Sequence, residues 1–358
     1  MTITDCASCA DERAAGAAFC EACGNKLNEA DTEAEAEAEI PSAAASGIPD
    51  AAADGAKDPK ACPHCGTAGS VGADGYCENC GMLAARPRDH IEIELDAAAA
   101  VTDRGQRHHR NEDAMWLAGS AGHIDAVVSD GVSASFDPDV ASQTAADTAG
   151  AVLAGTAPGG TVAAGAESSE ADRLADAIRA AGAAVAELAG SGDPRRAASN
   201  PACTIVAATV RNQLVDVGWV GDSRAYWLPA EGPAEQLTED DSWATHAIAL
   251  GADPQMALRD PKAHAITAWL GADAGPVRPR TAGFTVTAPG HLVLCSDGLW
   301  NYLPDPARFA DTVRDALDGT SLLGAARQLA DFANAAGGAD NITVVLIPVA
   351  PADTEIKE

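Results

Sequence analysis

An α+β fold built on an antiparallel β-sandwich flanked by helices is predicted by three features of this 358-residue chain. Short apolar, β-prone runs recur through most of it, helical periodicities come in pairs between groups of such runs, and hairpin-like turns join neighbouring runs. Strict alternation of strand and helix would instead indicate a doubly wound parallel sheet.

His90 to Leu95 alternates apolar and polar residues and reads as a strand with one wet face. Strand-like runs follow at Ala114–Leu117 and Ile124–Ser129, then a helix at Val140–Leu153. A second helix covers Ala171–Leu188: Ala171, Leu174, Ile178, Ala181, Val185 and Leu188 follow helical spacing behind a Ser169 cap. Thr204–Val210, Leu214–Val220, Ala225–Leu228 and His291–Cys295 read as strands, Pro306–Leu317 and Leu322–Asn334 as helices, and Ile342–Val349 as a last strand. The segment Asp240–Ala274 reads as irregular, with Trp243 and Trp269 exposed.

The N-terminal part is organised differently. Eight of the ten cysteines form Cys-x-x-Cys pairs: Cys6/Cys9 with Cys20/Cys23, and Cys62/Cys65 with Cys77/Cys80. In a reducing compartment such pairs indicate metal rather than disulfides. Two knuckles supply the four soft ligands of a tetrahedral zinc site in segments too small to build a core, so two structural Zn2+ ions are expected, and the pattern resembles double zinc-ribbon modules. Between the ribbons, Glu29 to Asp58 is rich in Ala-Glu repeats with almost nothing to bury, which predicts a flexible acidic linker. The expected layout is a first ribbon at 1–28, the linker at 29–58, a second ribbon at 59–86 and a large domain at 90–351. Cys203 and Cys295 lie in apolar runs and read as small buried hydrophobes.

A formal net charge of −30 opposes binding to nucleic acid or anionic lipid and favours divalent cations. No Arg-rich leader, signal peptide or apolar run of membrane-spanning length is found, which predicts a cytoplasmic protein that does not engage a membrane.

The chemistry lies in five short acidic phrases: Asn111-Glu112-Asp113, Ser129-Asp130-Gly131, Gly221-Asp222-Ser223-Arg224, Ser296-Asp297-Gly298 and Ala339-Asp340-Asn341. Two of them end apolar strand-like runs at Ser-Asp-Gly, so each aspartate surfaces where a rigid strand stops and a glycine lets a ligand approach the backbone. Converging carboxylates repel unless cations lie between them, so the phrases read together as one metal site. His246, His264 and His291 lack a ligand-like arrangement.

With Thr102-Asp103-Arg104-Gly105 and Leu237-Thr238-Glu239-Asp240, these phrases resemble, in order, the motifs of metal-dependent protein phosphatases of the PPM type (protein phosphatase 2C), from Ile91 to about Val349. The resemblance implies a β-sandwich with helices on both outer faces (αββα layers). It implies hydrolysis of phosphoserine and phosphothreonine on proteins, with two Mg2+ or Mn2+ ions activating a water, in opposition to Ser/Thr kinases. Asp130 would bridge the ions, Asp297 and Asp340 would complete one site, and Glu112 with the Gly131 carbonyl would serve the other. Asp222 with Asp297 would hold a third, weaker metal. Asp130 and Asp297 would thus be central to catalysis.

Three departures from the family pattern stand out. His108 occupies the place of the phosphate-binding arginine, so Arg107 or Arg110 is expected to take over that role. Asp130-Gly131-Val132-Ser133-Ala134 loses two glycines and puts Val132 where some members carry a histidine general acid. Asn301 and Asp241 replace a common aspartate and a common histidine. These departures define an alternative, an inactive pseudophosphatase serving as a scaffold through its ribbons. In the leading reading the ribbons dock a protein partner.

Overall fold

In the computed structural model the described residues are Cys62, Cys65, 67–72, 76–81, Ala84, 86–156 and 169–351. The first ribbon, with Cys6, Cys9, Cys20 and Cys23, and the whole linker 29–58 fall outside them.

The strands are β1 (His90–Leu95), β2 (Ala98–Asp103), β3 (Ala114–Ser120), β4 (His123–Ser129), β5 (Ala202–Cys203), β6 (Ile205–Arg211), β7 (Leu214–Val220), β8 (Arg224–Pro229), β9 (Glu235–Gln236), β10 (Leu270–Gly271), β11 (Arg280–Thr285), β12 (Gly290–Cys295) and β13 (Ile342–Val349). The helices are α1 (Pro138–Leu153), α2 (Glu170–Leu188), α3 (Pro194–Ala198), α4 (Trp243–Ala249), α5 (Pro254–Ala257), α6 (Asp297–Trp300), α7 (Pro306–Leu317) and α8 (Leu322–Ala335).

Two antiparallel sheets, β1-β2-β13-β12-β8-β9 and β11-β7-β6-β4-β3, form the sandwich. Alternation along the central strands assigns their side chains to layers. Val345, Ile347, Leu292 and Leu294 meet Val206, Ala208, Val215 and Val217 between the sheets. The opposite sides of the same strands, Val344, Leu346 and Val293, pack on Phe309, Val313, Leu329 and Ala333 of α7 and α8. On the other flank Val127, Ile205 and Ala207 pack on α1 and α2 through Ala145, Ala149, Leu174 and Ile178. The order is therefore helix, sheet, sheet, helix, and central strands buried on both faces read as unbroken apolar runs.

The helices start where short polar caps permit. Ser169 accepts from Asp172 N and closes a capping box, while Asp305 accepts from Arg308 N at α7 and Ser321 from Gly324 N at α8.

Several elements differ from the sequence reading. Strand β2 was not expected because Ala98-Ala99-Ala100 has little intrinsic β preference; it forms because those alanines sit wholly buried between β1 and β13. Strand β11, RTAGFT, was likewise missed. The segment 240–274 is not uniformly irregular: it contains α4 and α5, which share a small core of Ala244, Ala257 and Ala263, with Trp243 packed against it.

Candidate metal centres

The acidic phrases meet at one edge of the sandwich because each lies where a central strand begins or ends. Asp130 follows β4, Asp297 follows β12 and opens α6, Glu112 and Asp113 precede β3, Asp340 precedes β13, and Asp222 lies in the β7–β8 turn. Hydrogen bonds tie these ends together. Glu112 N donates to Asn341 Oδ1 (2.8 Å), Gly131 N to Glu112 O (3.2 Å) and Thr204 N to Asp130 O (2.7 Å). The Ser296 and Thr343 hydroxyls both donate to Asp113 Oδ2 at 2.7 Å. Trp300 Nε1 donates to Asp222 O (3.0 Å), joining the β7–β8 turn to α6. The glycines allow close backbone approach: a Cβ on Gly298 would stand 1.9 Å from Asn341 O, and one on Gly131 would stand 2.6 Å from Pro138 O.

Electrostatics show that the carboxylates share one field. Asp130 keeps a partly accessible edge, yet burial, then the charges of Asp113, Asp297, Asp340 and Asp222, lift its pKa well above the usual carboxylate range. Asp297 is lifted well above it too, by burial and then by Asp340, Asp222 and Asp113. Burial is also the main cause for Asp113, raised to about 6, and for Asp222, raised to about 7 with Asp240 adding its charge. Asp297 Oδ1 is buried with no hydrogen-bond donor, while Oδ2 accepts from Asn301 Nδ2 (3.0 Å). Mutually repelling acids with an orphaned buried oxygen are the donor set that hard divalent cations satisfy. The residues fit such ions.

The structure brings Glu112, Asp130, Asp222, Asp297 and Asp340 to the same edge and separates the two arginines. Arg110 reaches the centre, with Nε 3.3 Å from Glu112 Oε1 and Nη1 2.9 Å from Asp139 Oδ1. Arg107 is exposed, and its backbone N–H donates to Gly338 O (3.2 Å). His108 lies between two of the acids, with Nε2 3.2 Å from Asp340 Oδ1 and Nδ1 3.8 Å from Glu112 Oε2.

Other contributors escaped the sequence reading. Ser133, from the loop that lost its glycines, donates to Glu112 Oε2 (2.7 Å), and Ser142 Oγ donates to Glu112 O. Asn341 also donates to Arg104 O (2.7 Å) and Arg110 O (3.1 Å), which pins the loop bearing Glu112. A serine or asparagine in a loop is common enough that nothing in its immediate sequence marks these roles.

Arg224 stacks 3.5 Å over the Trp300 ring and grips Asp240 with two bonds of 2.9 and 2.6 Å. Asp241 accepts from Gly221 N (2.9 Å) and from Arg280 Nη2 (2.7 Å), so the residue in the histidine position anchors the root of segment 240–274 beside Asp222. His264 packs against Trp300, ring centroids 5.8 Å apart. Cys203 and Cys295 are fully buried, and burial pushes the Cys203 thiol up to about 12.

A second centre has different chemistry. The sulfurs of Cys62, Cys65, Cys77 and Cys80 all lie within 4.8 Å of one another, and among the described residues this is the one group of metal-binding side chains drawn so close. Cys62 and Cys80 sulfurs are 3.7 Å apart, Cys65 and Cys77 3.6 Å. A zinc tetrahedron with Zn–S of about 2.3 Å has edges of about 3.8 Å. Hydrogen bonding with Thr67, then with Asn79, pulls Cys65 down to about 5, toward the thiolate that binds metal. Gly81 takes φ of 69° in the turn after Cys80, a conformation glycine adopts freely.

Comparison with known proteins agrees with both centres. The profile of the family described as protein phosphatase 2C matches residues 102–333, and that described as double zinc ribbon matches residues 6–81. The serine/threonine phosphatase stp of Listeria welshimeri is 34% identical over 145 residues, covering 40% of this chain and 55% of that protein. The serine/threonine protein phosphatase PstP of Mycobacterium tuberculosis is 30% identical over 263 residues, covering 71% of this chain and 45% of that protein. The chain thus spans about half the length of the curated relatives it matches. Among solved structures, the PPM Ser-Thr phosphatase MsPP from Mycobacterium smegmatis in complex with cacodylate is 29% identical, with TM-score 0.54 over 72% of this chain and 100% of that one. The catalytic domain of PstP in complex with two manganese ions is 27% identical, with TM-score 0.53 over 70% of this chain and 97% of that one.

Proposed function

Because the chain belongs to the protein phosphatase 2C family, we propose that it hydrolyses phosphoserine and phosphothreonine on proteins at a dinuclear Mg2+ or Mn2+ site. One observation carries this reading: carboxylates from separate strand ends converge on Asp130, where burial and mutual repulsion hold its pKa far above normal. A fold keeps such a costly cluster where cations use it.

In this reading Asp130, Asp297 and Asp340 would hold one ion, Asp130 and Glu112 with the Gly131 carbonyl would hold a second, and Asp222 with Asp297 would hold a weaker third. When bound, the ions supply Lewis acidity that activates a water and neutralises phosphoryl charge. The chain's own residues do the rest. Ser133, Asn341 and Ser142 orient Glu112, and Asn301 orients Asp297. Of the two arginine candidates, Arg110 is the better placed to read phosphoryl oxygens, because its Nη2 edge takes part in neither of its ion pairs. With valine at position 132, protonation of the leaving serine or threonine oxygen falls to water or to another group of the site.

The ribbons are assigned one structural Zn2+ each, through Cys6, Cys9, Cys20 and Cys23, and through Cys62, Cys65, Cys77 and Cys80; the proposed division remains 1–28, 29–58, 59–86 and 90–351. They are assigned the docking of a protein partner, such as a Ser/Thr kinase or a kinase substrate. Among the described residues no helix is long and apolar enough to cross a membrane, and a cytoplasmic site of action is proposed.

The test is hydrolysis of a phosphothreonine peptide by metal-stripped protein with and without Mn2+, beside Asp297→Asn. Activity that requires Mn2+ and collapses in the variant supports the reading. Tight Mn2+ binding without turnover in the wild type would replace it with the scaffold reading.

A further inference from the structure

We infer that the second zinc ribbon, with the short brace behind it, positions the active-site loop from Arg104 to Asp113, so that zinc in that ribbon is a structural input to the acidic centre. The inference rests on the phosphatase reading only for its effect on turnover; the positioning itself is geometric.

The brace is the 3-10 turn Pro87–Asp89, which begins seven residues after Cys80. Asp89 is 5% exposed and takes both ends of the loop: its carbonyl accepts from Arg104 N (2.8 Å), and its Oδ1 accepts from Asn111 N (3.4 Å). Arg88 O accepts from Asn111 Nδ2 (3.3 Å). The Arg88 guanidinium reaches Asp139 O (2.5 Å), Asp113 O (3.5 Å) and Ser142 Oγ (3.4 Å), fastening the loop to the start of α1.

The middle of the loop is held from the ribbon. Tyr76 precedes the zinc-ligand candidate Cys77 and sits on the small hairpin closed by the Val71–Cys77 bridge and by Gly72 N donating to Tyr76 O (2.8 Å). Its hydroxyl lies 3.2 Å from Nδ1 of His109. His109 stands between His108, which contacts Asp340, and Arg110, which pairs with Glu112. A shift of His109 is therefore transmitted by one residue in either direction to groups on the acids. A segment this small holds its own shape only through the four cysteines, so Tyr76 keeps its place when the zinc is bound.

The experiment uses the full chain and compares wild type, Tyr76→Phe, His109→Ala, the double variant and Cys77→Ser. Zinc content, hydrogen exchange of residues 104–113 and Mn2+ affinity by calorimetry are read without turnover; KM and kcat on a phosphothreonine peptide are read beside them. Tyr76→Phe should keep its zinc, speed exchange in the loop and raise KM about threefold with kcat within about twofold, the size of one lost hydrogen bond. His109→Ala should do the same, and the double variant should be no worse than either single. Cys77→Ser should lose one zinc and weaken Mn2+ binding more than Tyr76→Phe does. Unchanged loop exchange and Mn2+ affinity in Cys77→Ser, or additive effects of Tyr76→Phe and His109→Ala, would overturn the inference. A wild type that fails to hydrolyse the peptide, with loop exchange still responding to Tyr76→Phe, would defeat the phosphatase reading and leave the positioning intact.

Discussion

The four-cysteine centre and the acidic centre reach metal-binding geometry from opposite directions. In the ribbon four thiols draw together within 4.8 Å in a segment with little to bury, so the ion organises the chain. At the acidic centre the chain organises the site: buried strands between two helical layers hold carboxylates where their repulsion alone would disperse them. The ribbon can use soft, easily ionised ligands because nothing else has to be stable. The acidic centre sets its electrostatic penalty against a sandwich with three apolar core layers behind it.

That contrast can be broken most directly at the ribbon. Cys62→Ser removes a ligand from a site whose zinc contributes on the order of 10–16 kcal/mol to the folding of such small modules. Zinc stoichiometry should fall by one ion and hydrogen exchange across 62–81 should become fast, while melting of the sandwich moves by less than about 2 °C, since a change of 1 kcal/mol shifts a domain of this size by about 2–4 °C. Unfolding of the sandwich together with the ribbon would erase the contrast.

At the acidic centre the expected signs reverse. Asp130→Asn should lower turnover on the order of a thousandfold, the worth of several kcal/mol of cation-borne stabilisation. The same variant, stripped of metal, should melt about 2–4 °C above the stripped wild type, because it removes one buried charge from a repelling group. A lower melting temperature for the stripped variant would mean that the fold does not oppose its own acids.

The pH dependence of the stripped protein sharpens the same point. Asp113 and Asp222 rise from an ordinary 3.8 to about 6 and about 7, chiefly through burial. Groups whose folded pKa lies above the unfolded value leave stability intact below about pH 4 and remove it as pH rises through 6 and 7. The stripped protein should therefore lose several degrees of melting temperature between pH 4 and 8, and Mn2+ should restore more of it at pH 8 than at pH 5. A flat profile would show that these two acids are already compensated within the chain.

How much of this could be read from sequence follows the same division. Central strands such as Ile342–Val349 were legible because burial on both faces demands a run rich in apolar and β-branched residues, and each acid was legible because it follows or precedes such a run. Strand β2 was not: its alanines acquire strand geometry from their neighbours in the sheet. The carboxylates announced themselves by repetition, whereas Ser133 and Asn341 did not, since one hydroxyl or amide gains its role only when a distant loop arrives beside it. The brace at Arg88 and Asp89 was hidden for the same reason: its partners in the loop and in α1 lie between 15 and 54 positions away in the chain.

The smallest effect tests where the acidic centre ends and segment 240–274 begins. Asp241 stands in a position where the family often has histidine, and it joins the root of segment 240–274 to the turn bearing Asp222 through Gly221 N and Arg280. A carboxylate can accept both bonds at once; a neutral imidazole offers a single acceptor nitrogen. Asp241→Ala should cost about 1–2 kcal/mol of stability for the lost charge-assisted bonds. It should also raise KM on a phosphoprotein a few-fold while leaving hydrolysis of a small phosphate ester within about twofold, and Asp241→Asn, which keeps an acceptor for Gly221, should recover part of the loss. Equal damage to both substrates would place Asp241 with the groups that hold the acids in register, and the boundary of the acidic centre would then lie further along the chain, past Thr267, whose N–H donates to Asp241 O at 2.7 Å.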